Sequence, residues 1–570
     1  MPVKTDLRRL IVPGGCALLT VAILAPVLPR GFILGYDMSF VPRQSLLPDS
    51  LGLGSGMPRA VPADALVAVL TTVIPGDILQ KVILFATVFL AALGAARLVP
   101  TESVLIRLVA AVAYSWNALL AERLLIGQWG LLVAYAALPW IVKTARELRG
   151  KRDWARLVLV SLPAVITPTG GLLAAGAALA AAGWRRAPGV AAAMAVLNAP
   201  WWVPSLLHPG ATSDPDAVTA FAARGESWGG PVLSVLGLGG IWNAQVAPAS
   251  RDNPVLPIFT LLIVGVAIWG LRELHRRWGS WALTGLAGIG LVLALAGSLP
   301  GLASALQWAV AHVPAAGLLR DGQKWAAWWA LALALGFALG AESLARLTGD
   351  RLSGERLAGS RLARGAIVVG ALLLPIVILP DLAWGAAGRL EPVRYPRDWQ
   401  AVSSILAHDD RPGDVLTAPL SAYRRFSWNA DRTQYDPALR YLPRTVVVAD
   451  SLKVGPTLVR GEDPRAAAVT AAANQGKPLG PYGIGWVLLE RGTPGPAIDV
   501  GRLHPVYQGK WLTLYRVPGH VTPGAGWPPA TPRVLLADAT AVLLGLVSGI
   551  ALLLPFGRFV KSRRKDMPGG

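Results

Sequence analysis

Residues 77–98 read DILQKVILFATVFLAALGAARL, and the only charges in the run stand near its ends, at Asp77, Lys81 and Arg97. About 20 apolar residues are needed to cross the hydrocarbon core as a helix. A stretch this uniformly apolar has no polar face to offer water, so it reads as a membrane span. Working outward, comparable runs occupy about 103–120, 129–145, 156–168, 170–184, 187–204, 254–272, 281–298, 324–345, 366–386 and 533–556. A first run, behind Lys4, Arg8 and Arg9, extends to about residue 29 and ends at Leu28-Pro29-Arg30 without a small-x-small cleavage site, so it is expected to be retained. The sum is about twelve transmembrane helices. Composition agrees: of 570 residues 54% are hydrophobic and 15% charged, against about 25% charged in soluble domains.

Charge gives the expected orientation. The 53 Lys and Arg against 33 Asp and Glu leave a net +20. With the N-terminus in the cytoplasm, the basic segments Lys143 to Arg156, Arg185-Arg186, Arg272 to Arg277, Arg346 to Arg364 and the tail Arg558 to Lys565 all fall on the inner side. The charge excess is thereby explained without nucleic acid, and membrane lipids are the expected surroundings. Both termini are then cytoplasmic in a multi-pass protein of the plasma membrane.

Between 389 and 532 the composition changes. A helical stretch, Trp399 to His408, precedes short β-rich runs at Asp414 to Thr417, Thr445 to Ala449, Gly485 to Glu490 and Trp511 to Val517. The expected organisation is a transmembrane core with external loops at 1–388, a small extracytoplasmic α/β domain at 389–532, and the last helix with its basic tail at 533–570.

Three polar groups interrupt this apolar chain on the expected outer face. Asp37, in Gly35-Tyr36-Asp37-Met38, follows the first span closely; it reads either as a general base for an acceptor hydroxyl or as a loop aspartate capping a turn. The segment Asn117 to Trp129 carries Glu122, Arg123, Gln128 and Trp129 between two spans, suited either to binding a sugar ring or to an interfacial turn with an internal ion pair. Arg320-Asp321-Gly322-Gln323-Lys324-Trp325 sets Arg320 and Lys324 four apart, fit for a phosphate oxyanion or for snorkelling to ordinary headgroups. Glu226 and His208 are weaker candidates for an acceptor groove. Tyr423 to Asn429 mixes aromatics and arginines, as either a carbohydrate-stacking surface or a buried core. Cys16 is the single cysteine, the six histidines are scattered, and there is no phosphate-binding glycine loop; no metal and no cofactor are expected.

An aspartate soon after span one, an N-x-x-x-x-E-R-x-x-x-G-x-W segment and an L-R-x-x-x-K-W segment before a late span, in this order, resemble polytopic glycosyltransferases of the GT-C class. The likeness is to the membrane core of actinobacterial arabinofuranosyltransferases and, more distantly, to YfhO-type membrane proteins; it covers roughly 1–388. It implies a GT-C fold, a polyprenyl-phosphate sugar donor and inverting transfer to a cell-envelope glycan or glycolipid on the extracytoplasmic face. It also implies Asp37 as the acid of the first loop, and Arg320 and Lys324 as the donor-phosphate residues, with Glu122, Arg123, Gln128, Trp129 and Gln323 around the substrate. A lone aspartate stands where many members carry an acidic pair. A lipid-linked-sugar flippase and a noncatalytic scaffold of an envelope-synthesis complex are the alternatives.

Overall fold

The structure is a computed structural model and describes residues 8–208, 213–352, 357–523 and 526–554. Lys4, part of the basic segment at 346–364, and the tail Arg558 to Lys565 lie outside the described residues. Among those described, seven helices are long and apolar enough to cross a membrane: Arg9–Val27, Gly76–Leu98, Val104–Leu125, Leu256–Trp278, Gly322–Thr348, Arg361–Ile378 and Thr531–Leu553. An eighth is reached if Ala282–Ser298 and Pro300–His312, which meet at 90°, form one broken span.

The expectation of about twelve spans is met in part. The remaining runs are helical but short or diluted. Lys151–Ser161 has 11 residues and Pro168–Ala182 has 15. Trp129–Arg146 ends on Lys143 and Arg146, and Ala187–Ser205 contains Pro200 and Pro204. Proline and terminal charge lower the apolar content of helices that otherwise pack within the bundle.

Close packing orders the centre. Helices Leu256–Trp278 and Gly322–Thr348 cross where a Cβ on Gly270 would stand 1.8 Å from the Gly336 carbonyl oxygen, and one on Gly340 2.1 Å from that of Val266. Glycines spaced four apart at 336 and 340 let the two backbones touch, the usual small-residue solution for helices in lipid.

Between the sixth and seventh of these helices the chain forms the α/β part. Its sheet contains β1 (Asp414–Ala418), β2 (Val446–Val447), β3 (Ile484–Glu490), β4 (His504–Gln508) and β5 (Leu512–Arg516) in the order β2-β1-β3-β5-β4. The β2-β1 and β1-β3 pairs are parallel, and β3-β5 and β4-β5 antiparallel. Helix Arg397–His408 buries Trp399, Val402 and Leu406 against one face with Trp486 and Leu488. Helix Pro464–Asn474 covers the other with Ala466, Val469 and Ala472. Each β-rich run read from the sequence contains a strand. An antiparallel ribbon, Tyr423–Arg425 with Thr433–Tyr435, is additional.

The first loop joins the two parts. Tyr36 N–H donates to the Thr433 carbonyl at 2.6 Å and Tyr435 N–H to that of Tyr36 at 2.7 Å, so the loop extends the ribbon as a further strand. Phe32 and Val393 exchange backbone bonds of 2.7 and 2.9 Å lower down. The backbone thus carries Asp37 directly under the α/β part.

Candidate functional site

The site is built around a break in the third span. Asn117 caps the short helix Ala118–Leu125, its Oδ1 accepting from Leu120 N–H at 3.0 Å, while its amide donates to the Tyr114 carbonyl at 2.8 Å. Gly127 then turns the chain with φ +79°, where a Cβ would lie 2.3 Å from Met38 N and 2.4 Å from the Gly35 oxygen. Only glycine satisfies both the left-handed backbone and the close approach. The first loop rests on this turn, Asp37 N–H donating to the Ile126 carbonyl at 3.1 Å.

Arg123 is fully buried and every N–H of its guanidinium is used. It meets Asp321 in a bidentate pair at 2.7 and 3.0 Å, donates to Gln128 Oε1 at 2.7 Å, and donates from Nε and Nη2 to Gln323 Oε1. Gln323, itself without exposed surface, turns its amide to Glu122 Oε2 at 2.8 Å. Glu122 in turn faces the charge of Glu226, which is paired with Arg251 at 2.8 Å. Burial raises the Glu226 carboxyl, but the Arg251 guanidinium beside it outweighs this and holds the group below its ordinary value. Of the residues anticipated from sequence, Glu122, Arg123, Gln128 and Gln323 therefore form one network. Glu226 and Arg251 complete it from the segment before Leu256.

The network ends on Asp37. Gln128 donates its amide to Oδ2 at 3.3 Å, and Tyr423, from the ribbon of the α/β part, donates its hydroxyl to Oδ1 at 2.8 Å. Asp37 stays partly exposed in a recess. Burial there raises its carboxyl above the ordinary value, against the lowering effect of the Tyr423 and Gln128 bonds. Arg440 and Arg59 are the cations whose charge acts on Asp37; Lys324, half-buried, lies in the field of Asp321 and more weakly in that of Asp37, with no hydrogen bond and no carboxylate within salt-bridge reach among the described residues. Trp129 is half-buried and packs against Phe40, ring centroids 5.2 Å apart.

Arg320 is engaged differently from Lys324. It is paired with Glu462 of the α/β part, which also accepts from Arg59 at 2.6 Å and from Ser213 at 2.7 Å. Burial raises Glu462, and the two guanidiniums reverse this and hold it down to about 2. Arg59 nevertheless keeps 55% of its side chain accessible. Glu462 thus takes Arg320, one of the two cations where a phosphate was expected, while Lys324, the other, has no salt bridge among the described residues.

The other candidates have structural partners. His208 bridges the Pro204 and Gly54 carbonyls at 2.8 and 2.7 Å. In the Tyr423 to Asn429 stretch, Phe426 is fully buried, and Arg424 is enclosed between Asp436 and Glu490. Only Tyr423 of that stretch reaches the site. Nothing local in the sequence announces that Tyr423 meets Asp37 or that Glu462 meets Arg320 and Arg59, since the pairs join segments more than a hundred residues apart. Among the described residues, no group of three or more His, Cys, Asp or Glu side chains is placed to hold a metal ion. In comparisons with known proteins, no family model and no curated protein matches the chain.

Proposed function

We propose that the chain is a GT-C-type membrane glycosyltransferase that moves a sugar of the arabinofuranose or mannose class from a polyprenyl-phosphate donor to a cell-envelope glycan or glycolipid. The proposal includes a transmembrane core at 1–388, an extracytoplasmic α/β domain at 389–532, cytoplasmic termini and reaction at the outer surface, following the sorting of basic segments. The observation that carries it is the recessed carboxylate of Asp37, held by Tyr423 and Gln128 beneath the α/β part, with the ammonium of Lys324 within its electrostatic reach.

In this reading an Asp37 oxygen accepts the proton of the acceptor hydroxyl as that oxygen bonds to the anomeric carbon. The bond from that carbon to the phosphate oxygen breaks, and polyprenyl phosphate leaves with the electron pair. A raised carboxyl is a better base than an ordinary one, and Lys324 balances the charge that grows on the departing phosphate. Tyr423 and Gln128 fix the rotamer of the base. Arg320 serves through Glu462 to hold the α/β part over the recess.

The test is sugar transfer in membranes given radiolabelled polyprenyl-phosphate sugars. Asp37→Asn at equal expression is expected to lose transfer by about 100-fold or more. Equal transfer in both removes Asp37 from the mechanism. No transfer in either, over several donors and acceptors, favours the scaffold or flippase reading, which the internally satisfied Arg59–Glu462–Arg320 cluster also suits.

A further inference from the structure

A cavity of about 450 Å³ lies beside the first loop, lined by Tyr36 but not by Asp37. That size falls in the range of ligand sites, about 300–1,000 Å³. Its floor is apolar: Ile33, Leu34, Leu124, Leu125 and Leu390 are all buried. Its walls carry three arginines, Arg389, Arg425 and Arg432.

None of the three guanidiniums is within salt-bridge distance of a carboxylate among the described residues. They are held by backbone oxygens instead. Arg389 donates to the carbonyls of Gln245 and Ala247, Arg432 to those of Asn429, Arg389 and Glu391, and Arg425 through Nε to that of Asp431 at 3.1 Å. Carbonyls orient a guanidinium without cancelling its charge. Each keeps at least one terminal or Nε nitrogen uncommitted, and Arg425 keeps both of its Nη groups. Burial opposes the charge on Arg389 and Arg432. Two acids, Glu391 and Asp431, also line the cavity, and both are exposed.

The backbone around this cavity is strained. Eight non-glycine residues among those described have positive φ. Tyr36, Ala430 and Asp431, at +43°, +51° and +53°, line the cavity itself. Trp384, Ala386 and Ala387 belong to a left-handed helical turn that delivers Gly388 and Arg389 to its wall. Such residues are strained and persist where the surroundings over-determine them, commonly at binding sites.

The position adds the last constraint. Leu124 and Leu125 end the span Val104–Leu125, Ile33 and Leu34 follow the end of Arg9–Val27, and Arg389 follows the end of Arg361–Ile378. Charge over an apolar floor where spans end is the geometry of a headgroup above its acyl chains. We propose that this cavity is a binding site for the phosphodiester headgroup of an anionic membrane lipid, separate from the recess of Asp37. Arginine suits the phosphate through paired N–H donors, and the two exposed acids suit hydroxyls on the same headgroup. The site does not depend on the transferase reading, because it is defined by binding alone.

The experiment uses the full chain in nanodiscs of phosphatidylcholine doped with phosphatidylglycerol, with lipid retained after release counted by native mass spectrometry. The wild type is expected to retain phosphatidylglycerol over phosphatidylcholine. Arg425→Glu, an exposed side chain with one backbone bond, should lower that preference about tenfold without changing the melting temperature, and Arg425→Lys should keep most of it. Asp37→Asn, which ends transfer on the reading above, should leave retention unchanged. Equal retention in wild type and Arg425→Glu overturns the proposal. Displacement by millimolar inorganic phosphate would overturn the lipid assignment in favour of free phosphate, and reduced retention in Asp37→Asn would overturn the separation of the two sites.

Discussion

Helix Gly322–Thr348 carries an ion network at each end, and the two are built on opposite principles. Near Gln323 the charges of Arg123, Asp321, Glu226 and Arg251 are buried and each has a fixed partner, with Arg123 using all five donors. About 28 Å further along at 1.5 Å per residue, Glu342 shares Arg277 and Arg346 with Glu273, at 2.8 to 3.9 Å, and Arg346 is half exposed. At this second end Glu342 has two cations and Glu273 three, so losing one partner leaves another. At the first there is no water to take over, and removing one member strands the rest. Redundant, solvated pairs tolerate change and mark a stable surface. A unique buried arrangement is sensitive, and it fixes the aim of Gln128 on Asp37.

The difference can be broken first at Arg123. Arg123→Ala strands Asp321 and Gln323 and should cost about 3–5 kcal/mol, read as a large fall in melting temperature by tryptophan fluorescence in detergent. Gly127→Ala comes next: its Cβ collides with Met38 and Gly35, and a loss of about 1–3 kcal/mol is expected. Transfer should fall as well, because the first loop must shift. A pH scan sharpens the comparison at the α/β contact. Glu462 has its folded value depressed from 4.5 to about 2, so its stabilisation is complete above about 4.5 and is lost as pH falls toward 2. Protease sensitivity of the wild type should rise across that window, and Glu462→Gln should flatten the response. The smallest effect belongs to the far end, where Arg346→Ala should change stability by no more than about 0.5 kcal/mol.

The legible parts of the sequence were those set by local pattern. Apolar runs such as 77–98 and 254–272 became the helices Gly76–Leu98 and Leu256–Trp278, and period-two runs such as Gly485 to Glu490 became strands. The stretch at 156–184, interrupted in the sequence by Pro163, Pro168 and Gly170-Gly171, reads as a pair of short helices, and Lys151–Ser161 and Pro168–Ala182 are short helices within the bundle. Asp77 shows the limit of local pattern. It lies inside the first turn of its helix and pairs with Arg30 at 3.1 Å, and a salt bridge to a preceding loop depends on where that loop folds.

For the candidate site, residue chemistry singled out Asp37, Glu122, Arg123, Gln128, Gln323, Arg320 and Lys324, because polar groups beside apolar spans are expensive to leave there. Their connectivity was beyond reach. Sequence could not say that Glu462 takes Arg320, that Tyr423 reaches Asp37, or that Glu226 faces Glu122, since each contact closes a loop of about a hundred residues or more. The sequence by itself determined a chain of long apolar helices with a β-rich insertion and a small set of polar exceptions, because helix and strand follow from nearest-neighbour patterning. Only the tertiary structure decided which exceptions neutralise one another and which stay available, because electrostatic pairing depends on distance in space, and distance along the chain does not encode it.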